Sequence, residues 1–232
     1  MQPACMLPQE VVAVKPESST PEPKPEPGKP EPGKPGARRA TQAQRRERTR
    51  AALIDAARAL FAERGFAGAG REDIVERAGV TRGAMYHHFN SKEDLFRAVY
   101  EVVEQELCEA VAARAVAGED AVDGLRLGAL AFLDAAATPE VRRIVLLDAP
   151  AVLPVEVRRS LAERYGLGLV REALRGAQAA GLLSITPIEP FAQLLLAALH
   201  EAATAIADGG DPEEMRAVVE QLLDAITSGP SS

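Results

Sequence analysis

Residues Gly79 to Lys92 read GVTRGAMYHHFNSK, and the spacing of apolar, small and capping residues in this run decides the fold. Gly79 closes a short helix, Arg71 to Ala78, that presents Ile74, Val75 and Ala78. Val80 is the buried residue of a turn, and Thr81 is an N-cap whose hydroxyl can accept from a first-turn amide. A second helix is predicted from Arg82 to about Phe89, with Met85 and Phe89 four apart on its inward face. That leaves Arg82, Gly83, Ala84, Tyr86 and His87 outside. Asn90-Ser91 ends this helix. Ser91 with Asp94 makes a capping-box-like start to the next one, and Lys92 lies at that positive helix end. Two short helices joined by a turn of three to four residues, the second with a small polar outer face, form a helix-turn-helix.

That outer face suits DNA. The Gly83-Ala84 pair lets the helix backbone approach a groove, and Arg82 can fork onto guanine edges. Tyr86, His87 and His88 can donate to phosphates, which positions without specifying. The adjacent histidines point about 100° apart on a helix and cannot chelate one ion together. No metal or other cofactor is expected, and no Ser/His/Asp, Cys/His or paired-carboxylate spacing suggests an enzyme.

Upstream, Leu53, Ala57, Leu60 and Phe61 share a helical face with Ile54 beside it, and Gly65 ends that helix. Arg38, Arg39, Arg45, Arg46, Arg48 and Arg50, offset only by Glu47, precede it and read as a phosphate-binding arm. Before them, residues 15–36 carry the imperfect repeat KPEPG-KPEPG-KPG. Proline at every second or third position removes amide donors and favours extended geometry, so a solvated, semi-rigid tail is expected there. A polyproline ligand for a partner module is the alternative.

Composition agrees. The chain of 232 residues is 47% hydrophobic, with no Trp and three Tyr, and is rich in the strong helix formers Ala, Leu, Glu and Arg. Short β-branched or apolar patches such as Val11–Val14 and Ile144–Leu147 are too few to make a sheet. The formal net charge of −7 conceals an asymmetry: residues 38–100 carry thirteen basic and eight acidic side chains, whereas residues 101–232 carry ten and twenty-one. A basic block on an acidic body is expected where only one part meets phosphates. Cys5 and Cys108 lie far apart, so a reducing compartment fits. No secretory signal is visible, and no apolar run reaches bilayer-spanning length without charges or Gly/Pro breaks. The expectation is a soluble, cytoplasmic protein that does not enter a membrane.

The run Arg46 to about Leu107 resembles the DNA-binding domain and first linking helix of TetR/AcrR-type transcriptional regulators. The residues that carry this are the Phe61/Gly65/Phe66 spacing, Asp73-Ile74 and above all AGVTRGAMYHHFNSKEDLF from Ala78 to Phe96. By resemblance, Thr81, Tyr86, His88 and Lys92 fall where the family contacts the DNA backbone, while Arg82, Gly83, Ala84 and His87 fall on the recognition face; Arg46 belongs to the basic arm. One departure stands out. The family usually opens its second helix with Thr or Ser and then an apolar residue, where this chain has Ala69-Gly70-Arg71. A hydroxyl cap is missing. Gly can cap at a cost of only a few tenths of a kcal/mol, and Arg71 could take over the phosphate contact.

The expected architecture is all-α, with about nine helices: a Pro-rich tail over 1–40, a three-helix DNA-binding domain over 41–90, and a helical effector-binding and dimerisation domain over 91–228. Leu95, Val99, Val102, Val103 and Leu107 continue an amphipathic helix out of the reader. Further helix starts are signalled at Glu119-Asp120, Thr138-Pro139-Glu140, near Pro154, near Pro187 and at Asp211-Pro212. The last two helices carry more apolar surface than one small domain covers. Leu195, Leu199, Ala202, Val219, Leu222 and Leu223 are therefore expected at a two-fold four-helix interface, which the resemblance also implies, and the DNA site should be an inverted repeat. Phe132, Arg143, Leu147, Asp148, Tyr165 and Leu169, with Leu133, Leu146 and Arg164, are the candidates for a small-molecule effector pocket. Asp148 inside the apolar run IVLLDAPAVL must pair with an Arg or face that pocket. His200, alone in a largely apolar helix, reads as a packed or interface histidine. A ligand-responsive repressor acting as a homodimer on an operator is the expected function. The alternative is a DNA-binding regulator without effector, constitutive or controlled by a protein partner.

Overall fold

A computed structural model describes the backbone of residues 35–227 and the side chains of residues 41–227. The expected tail, Cys5, Val11–Val14 and the side chains of Arg38 and Arg39 lie outside the described residues.

The first helix, α1 (Pro35–Gly68), carries Leu53, Ala57, Leu60 and Phe61 into the core at helical spacing. It kinks at Gly65, which adopts φ 70°, ψ 172°. Only a residue without Cβ adopts this backbone readily. The basic stretch is helical over Thr41–Arg50, with its arginines exposed.

Next come α2 (Arg71–Ala78) and α3 (Arg82–His88). Gly70 caps α2 in an extended conformation, and the Asp73 carboxylate reaches back to accept the Gly70 amide at 3.3 Å. An acid at the third helical position thus takes up a donor at the cap, where the missing hydroxyl would have served the first-turn amides. Gly79 ends α2 in the left-handed region, φ 64°, as a glycine C-cap does. Thr81 Oγ1 accepts the Ala84 amide at 3.2 Å, and Ser91 Oγ accepts that of Asp94 at 3.0 Å, opening α4 (Lys92–Ala115). Val80 is half-buried rather than fully enclosed.

The body is helical throughout the described residues, with no strand. α5 (Ala121–Ala136), capped by Asp120, is its axis, and it packs against α4, α9 (Gly166–Ala179), α10 (Ile188–Ala207) and α11 (Pro212–Thr227). Between α5 and α8 (Val155–Arg164) runs an unbroken helical stretch of three parts: α6 (Pro139–Val141), a π-helix over Arg142–Asp148, and α7 (Ala149–Val152). Pro150 gives the reason for the wide turns. Its ring lacks an N–H and crowds the carbonyl four residues back, so the helix ahead of it loosens. Ile144–Leu147 lies within this π-helix. A break at Tyr165, between α8 and α9, was not signalled by any cap, so the rods number ten among the described residues rather than about nine.

One described helix reaches bilayer length, with Glu189, Pro190 and Glu201 inside it. α10 spans 20 residues with mean hydropathy 1.3, long and apolar enough by composition to cross a membrane. Its face made of Ala192, Leu195, Leu199, Ala202 and Ile206 is packed into the core.

Candidate nucleic-acid interface and ligand cavity

α3 projects Arg82, Gly83, Tyr86 and His87 to solvent, while Met85 and the following Phe89 anchor its inner side. Ala84 is half-buried, and its amide donates to the Thr81 cap. Arg82 stands beside two partners: its guanidinium lies 3.3 Å from Glu72 on α2 and 6.0 Å from the Tyr86 ring centroid. The neighbouring guanidinium holds the Tyr86 hydroxyl below its ordinary pKa, with Arg71 contributing. Both members of the Arg82–Glu72 pair are more than two-thirds exposed. Such a solvent-screened pair contributes little to stability, so Arg82 can leave it for a base edge.

α1 flanks this face. The Arg50 guanidinium lies 5.7 Å from the Phe89 ring centroid, and burial together with the positive charges of Arg46 and Arg50 lowers the pKa of His88. A neutral His88 beside two arginines cannot add a third repelling charge. Arg46, Arg50, Arg71, Arg82, Tyr86 and His87 are all exposed, in a cluster linked through these contacts. Lys92 differs. It is half-buried, and its ammonium sits 4.3 Å from the Phe66 ring centroid.

That contact belongs to the junction between reader and body. Phe66 packs between Phe61 and Phe96, with centroids 5.8 and 5.2 Å away. Its amide donates to Asp148 Oδ2 at 2.6 Å, and the same oxygen accepts from Arg143 Nε at 3.3 Å. A Cβ on Gly65 would stand 1.9 Å from Arg143 Nη2, so the guanidinium closes directly over the kink. Arg143 and Asp148 are five residues apart. In an α-helix they would point about 140° from each other, but the i→i+5 geometry of the π-helix brings them to one side. A second clamp is Arg58 of α1, bidentate to Glu140 (2.6 and 2.8 Å) and to Glu106 (2.9 and 2.6 Å). The two carboxylates push its pKa up further, and Arg58 holds the Glu140 carboxyl below its ordinary value.

A cavity of about 680 Å³ opens on the other side of the π-helix, within the size range of small-molecule sites. Val145, Leu146, Leu167 and Leu196 give it apolar walls, and Tyr100, Arg158 and His200 give it polar groups. None of Phe132, Arg143, Leu147, Asp148, Tyr165 and Leu169 lines it. Phe132 stands one layer behind, edge-on to His200 at 5.1 Å. Arg143 and Asp148 are engaged at the junction, which resolves the choice left open for Asp148. Tyr165 donates its hydroxyl to Glu101 at 3.3 Å, and Leu147 and Leu169 are half-buried elsewhere in the packing. Leu146 alone of the wider set faces the cavity. Arg158 and Tyr100 went unnoticed in the sequence, although the line Tyr100, Glu104, Cys108 is a polar stripe at i, i+4, i+8 inside an apolar helix.

Of the six expected interface residues, Leu222 is exposed and the other five face inward. Leu195, Leu199, Ala202, Val219 and Leu223 are buried within the protomer. The apolar side chains that α10 and α11 leave in solvent are Leu194 (70% exposed), Val218 (52%) and Leu222 (39%). The buried and the exposed residues differ by one position in phase on each helix, enough to turn a side chain by about 100°.

Comparisons with known proteins agree with this geometry. A family model described as bacterial regulatory proteins, tetR family, matches residues 53–99, and one described as tetracyclin repressor-like, C-terminal domain, matches residues 122–230. The chain is 44% identical over 79 residues to the HTH-type transcriptional regulator TtgR of Pseudomonas putida, covering 34% of this chain and 37% of that one. It is 34% identical over 104 residues to AcrR of Shigella flexneri, covering 44% and 48%. The matches therefore span less than half the length of these curated relatives. A solved structure of a TetR-family transcriptional regulator from Pectobacterium atrosepticum is 33% identical, covers 81% of this chain and 98% of its own, and superposes with a TM-score of 0.71.

Proposed function

Because this chain belongs to the TetR family of bacterial regulatory proteins, we propose that it is a ligand-responsive repressor that binds an inverted-repeat operator as a homodimer. The chain is a helix-turn-helix transcriptional regulator that binds DNA. The observation that carries the fuller reading is a π-helix with two occupied sides. Val145 and Leu146 wall the cavity, while Arg143 and Asp148 grip the Gly65–Phe66 kink of the reader. A ligand that displaces the first pair moves the second, and with it Phe66 and the overlying Lys92. The spacing of two recognition helices in a dimer then changes, and DNA is released when the ligand favours the spaced-apart state. The cavity itself favours this reading over an effectorless regulator.

The recognition face proposed is Arg82, Gly83, Ala84 and His87, with Arg46, Arg71, Thr81, Tyr86, His88 and Lys92 on the phosphates. Selection of bound sequences from a random duplex pool tests symmetry and half-site spacing together; recovered sites without two-fold symmetry would overturn the homodimer reading. Arg82→Ala is expected to change the preferred base at one half-site position at a cost of about 1–3 kcal/mol. Unchanged selected sequences would remove Arg82 from the recognition face.

The junction makes its own prediction. Asp148→Ala leaves the Phe66 amide without its acceptor and the Arg143 guanidinium without its anion. It should cost about 1–3 kcal/mol of stability. Operator binding is expected to weaken while binding to a random duplex stays the same, because phosphate contacts remain but the reader is no longer held in register. Denaturant titration and fluorescence anisotropy on both duplexes measure this. An equal loss on both duplexes would count against the junction as the coupling element.

A further inference from the structure

One group in the cavity is unlike the rest. The Arg158 side chain lines it, its Nε is buried, and that nitrogen finds no hydrogen-bond partner among the described residues. Nor does the Arg158 guanidinium form an ion pair there, in contrast to Arg58, Arg143 and Arg164, each of which meets a carboxylate. An orphaned donor on a cation is costly to bury and is usually matched by an acceptor. Two groups near Arg158 define what that acceptor can be. His200 Nδ1 lies 3.0 Å from the Leu196 carbonyl, which makes it the protonated nitrogen, and burial keeps the ring neutral by lowering its pKa. Tyr100 is buried, and burial keeps its phenol protonated. The other charged lining residues, Arg159, Glu163 and Glu201, are exposed, while the buried Glu104 is not among the lining residues. The inner wall therefore offers one unpaired positive charge, a phenol and a neutral imidazole, facing Val145, Leu146, Leu167 and Leu196.

We infer that this cavity takes an amphipathic organic anion, its carboxylate held by Arg158 and its apolar body against those aliphatic walls. The inference deepens the effector reading of the same cavity and rests on it for any consequence at the DNA. A cationic ligand would meet Arg158 with its own charge unpaired. A neutral one would leave Arg158 without a counter-charge; a charge-assisted bond to a carboxylate is roughly twice as strong as a neutral one.

Three probes share one apolar body: 4-phenylbutyrate, 4-phenylbutan-1-ol and 4-phenylbutylamine. Calorimetric titration of the full-length protein should show the carboxylate binding at least about tenfold more tightly than the alcohol, with no binding of the amine. Arg158→Gln should weaken carboxylate binding at least about tenfold. Arg158→Lys, which keeps the charge but loses the planar fork, should weaken it less, and Arg175→Gln, exposed and outside the cavity lining, should leave it within about threefold. Amine binding equal to that of the carboxylate, no carboxylate binding, or an unchanged affinity in a folded Arg158→Gln variant would each overturn the inference. Should Arg158→Gln fail to fold, the order of the three probes on the parent and on Arg158→Lys decides. Operator anisotropy on the same samples separates the two readings. Carboxylate binding without release of DNA would remove the effector role and leave the anion site, whereas release that persists in Arg158→Gln would remove the anion site and leave the effector role.

Discussion

Leu194→Glu combined with Leu222→Glu is expected to yield a folded monomer that has lost operator affinity by about a thousandfold or more, approaching its affinity for random DNA. Leu194 is 70% exposed and Leu222 is 39% exposed in the protomer, so neither glutamate enters the core and far-ultraviolet circular dichroism should not change. Along α10, Leu194 shares its face with Ala198 and Ala205 at i+4 and i+11, small residues that let a second helix approach; on α11, Val218 and Leu222 are four apart. In a two-fold interface each substitution counts twice. Burying a leucine is worth about 1.5–3 kcal/mol, and a glutamate left unpaired in its place costs more. Loss of the dimer removes the second half-site reader, and specific affinity falls toward the non-specific level. Light scattering after size exclusion at micromolar concentration, beside anisotropy on operator and random duplexes, measures both halves. A double variant that stays dimeric would place the interface elsewhere. Leu199→Glu is the contrast: Leu199 is buried, and its replacement should unfold the body rather than separate protomers.

How far the sequence could be read depended on the distance over which each contact acts. Thr81, Gly79 and Ser91 act on amides within a few residues of themselves, and each does in the structure what its spacing predicted. The departure at Ala69-Gly70-Arg71 was visible, yet its remedy was not sought where it lay, in Asp73 three residues on. Contacts over long separations were beyond such reasoning. Asp148 meets Phe66 across 82 residues, and nothing local announces that its partner is a backbone amide at a kink. The cavity residues rest on side-chain type alone, aromatics, leucines and charges in the central helices. The π-helix ahead of Pro150 re-aimed those side chains, sending Val145 and Leu146 to the cavity and Arg143 and Asp148 away from it. For α10 and α11 the difficulty was phase. A helix apolar nearly all round has no polar side to mark which leucine faces its own core, so five residues that the protomer buries were grouped with the exposed Leu222.

Glu104→Gln is expected to stabilise the protein at pH 8.5 much more than at pH 5.5. Glu104 lies in α4, is 2% exposed, and its Oε2 has no partner among the described residues. Burial pushes its carboxyl up to about 7, against an opposing hydrogen bond with Tyr100. The same burial, with the Glu104 charge, raises the Cys108 thiol one turn on to about 12. Because the folded-state pKa lies above the unfolded value near 4.5, the folded protein holds this proton where the unfolded chain has released it. Stability contributed by the protonated acid is complete below about 4.5 and is lost as pH rises through about 7. A shift of that size corresponds to about 3 kcal/mol at its limit, of which about 2 kcal/mol accrues between pH 5.5 and 8.5. Glutamine has the shape of the protonated acid and no titration, so the gain from Glu104→Gln should grow by about that amount across the interval, as read by urea denaturation at both values. A gain of equal size at both pH values would show that Glu104 is not the titrating group. The consequence reaches the cavity, since Tyr100 lines it and interacts with both Glu104 and Arg158. Once ionised, Glu104 opposes an anion bound there. Affinity for 4-phenylbutyrate should therefore fall as pH rises through about 7 in the parent, and stay level in Glu104→Gln.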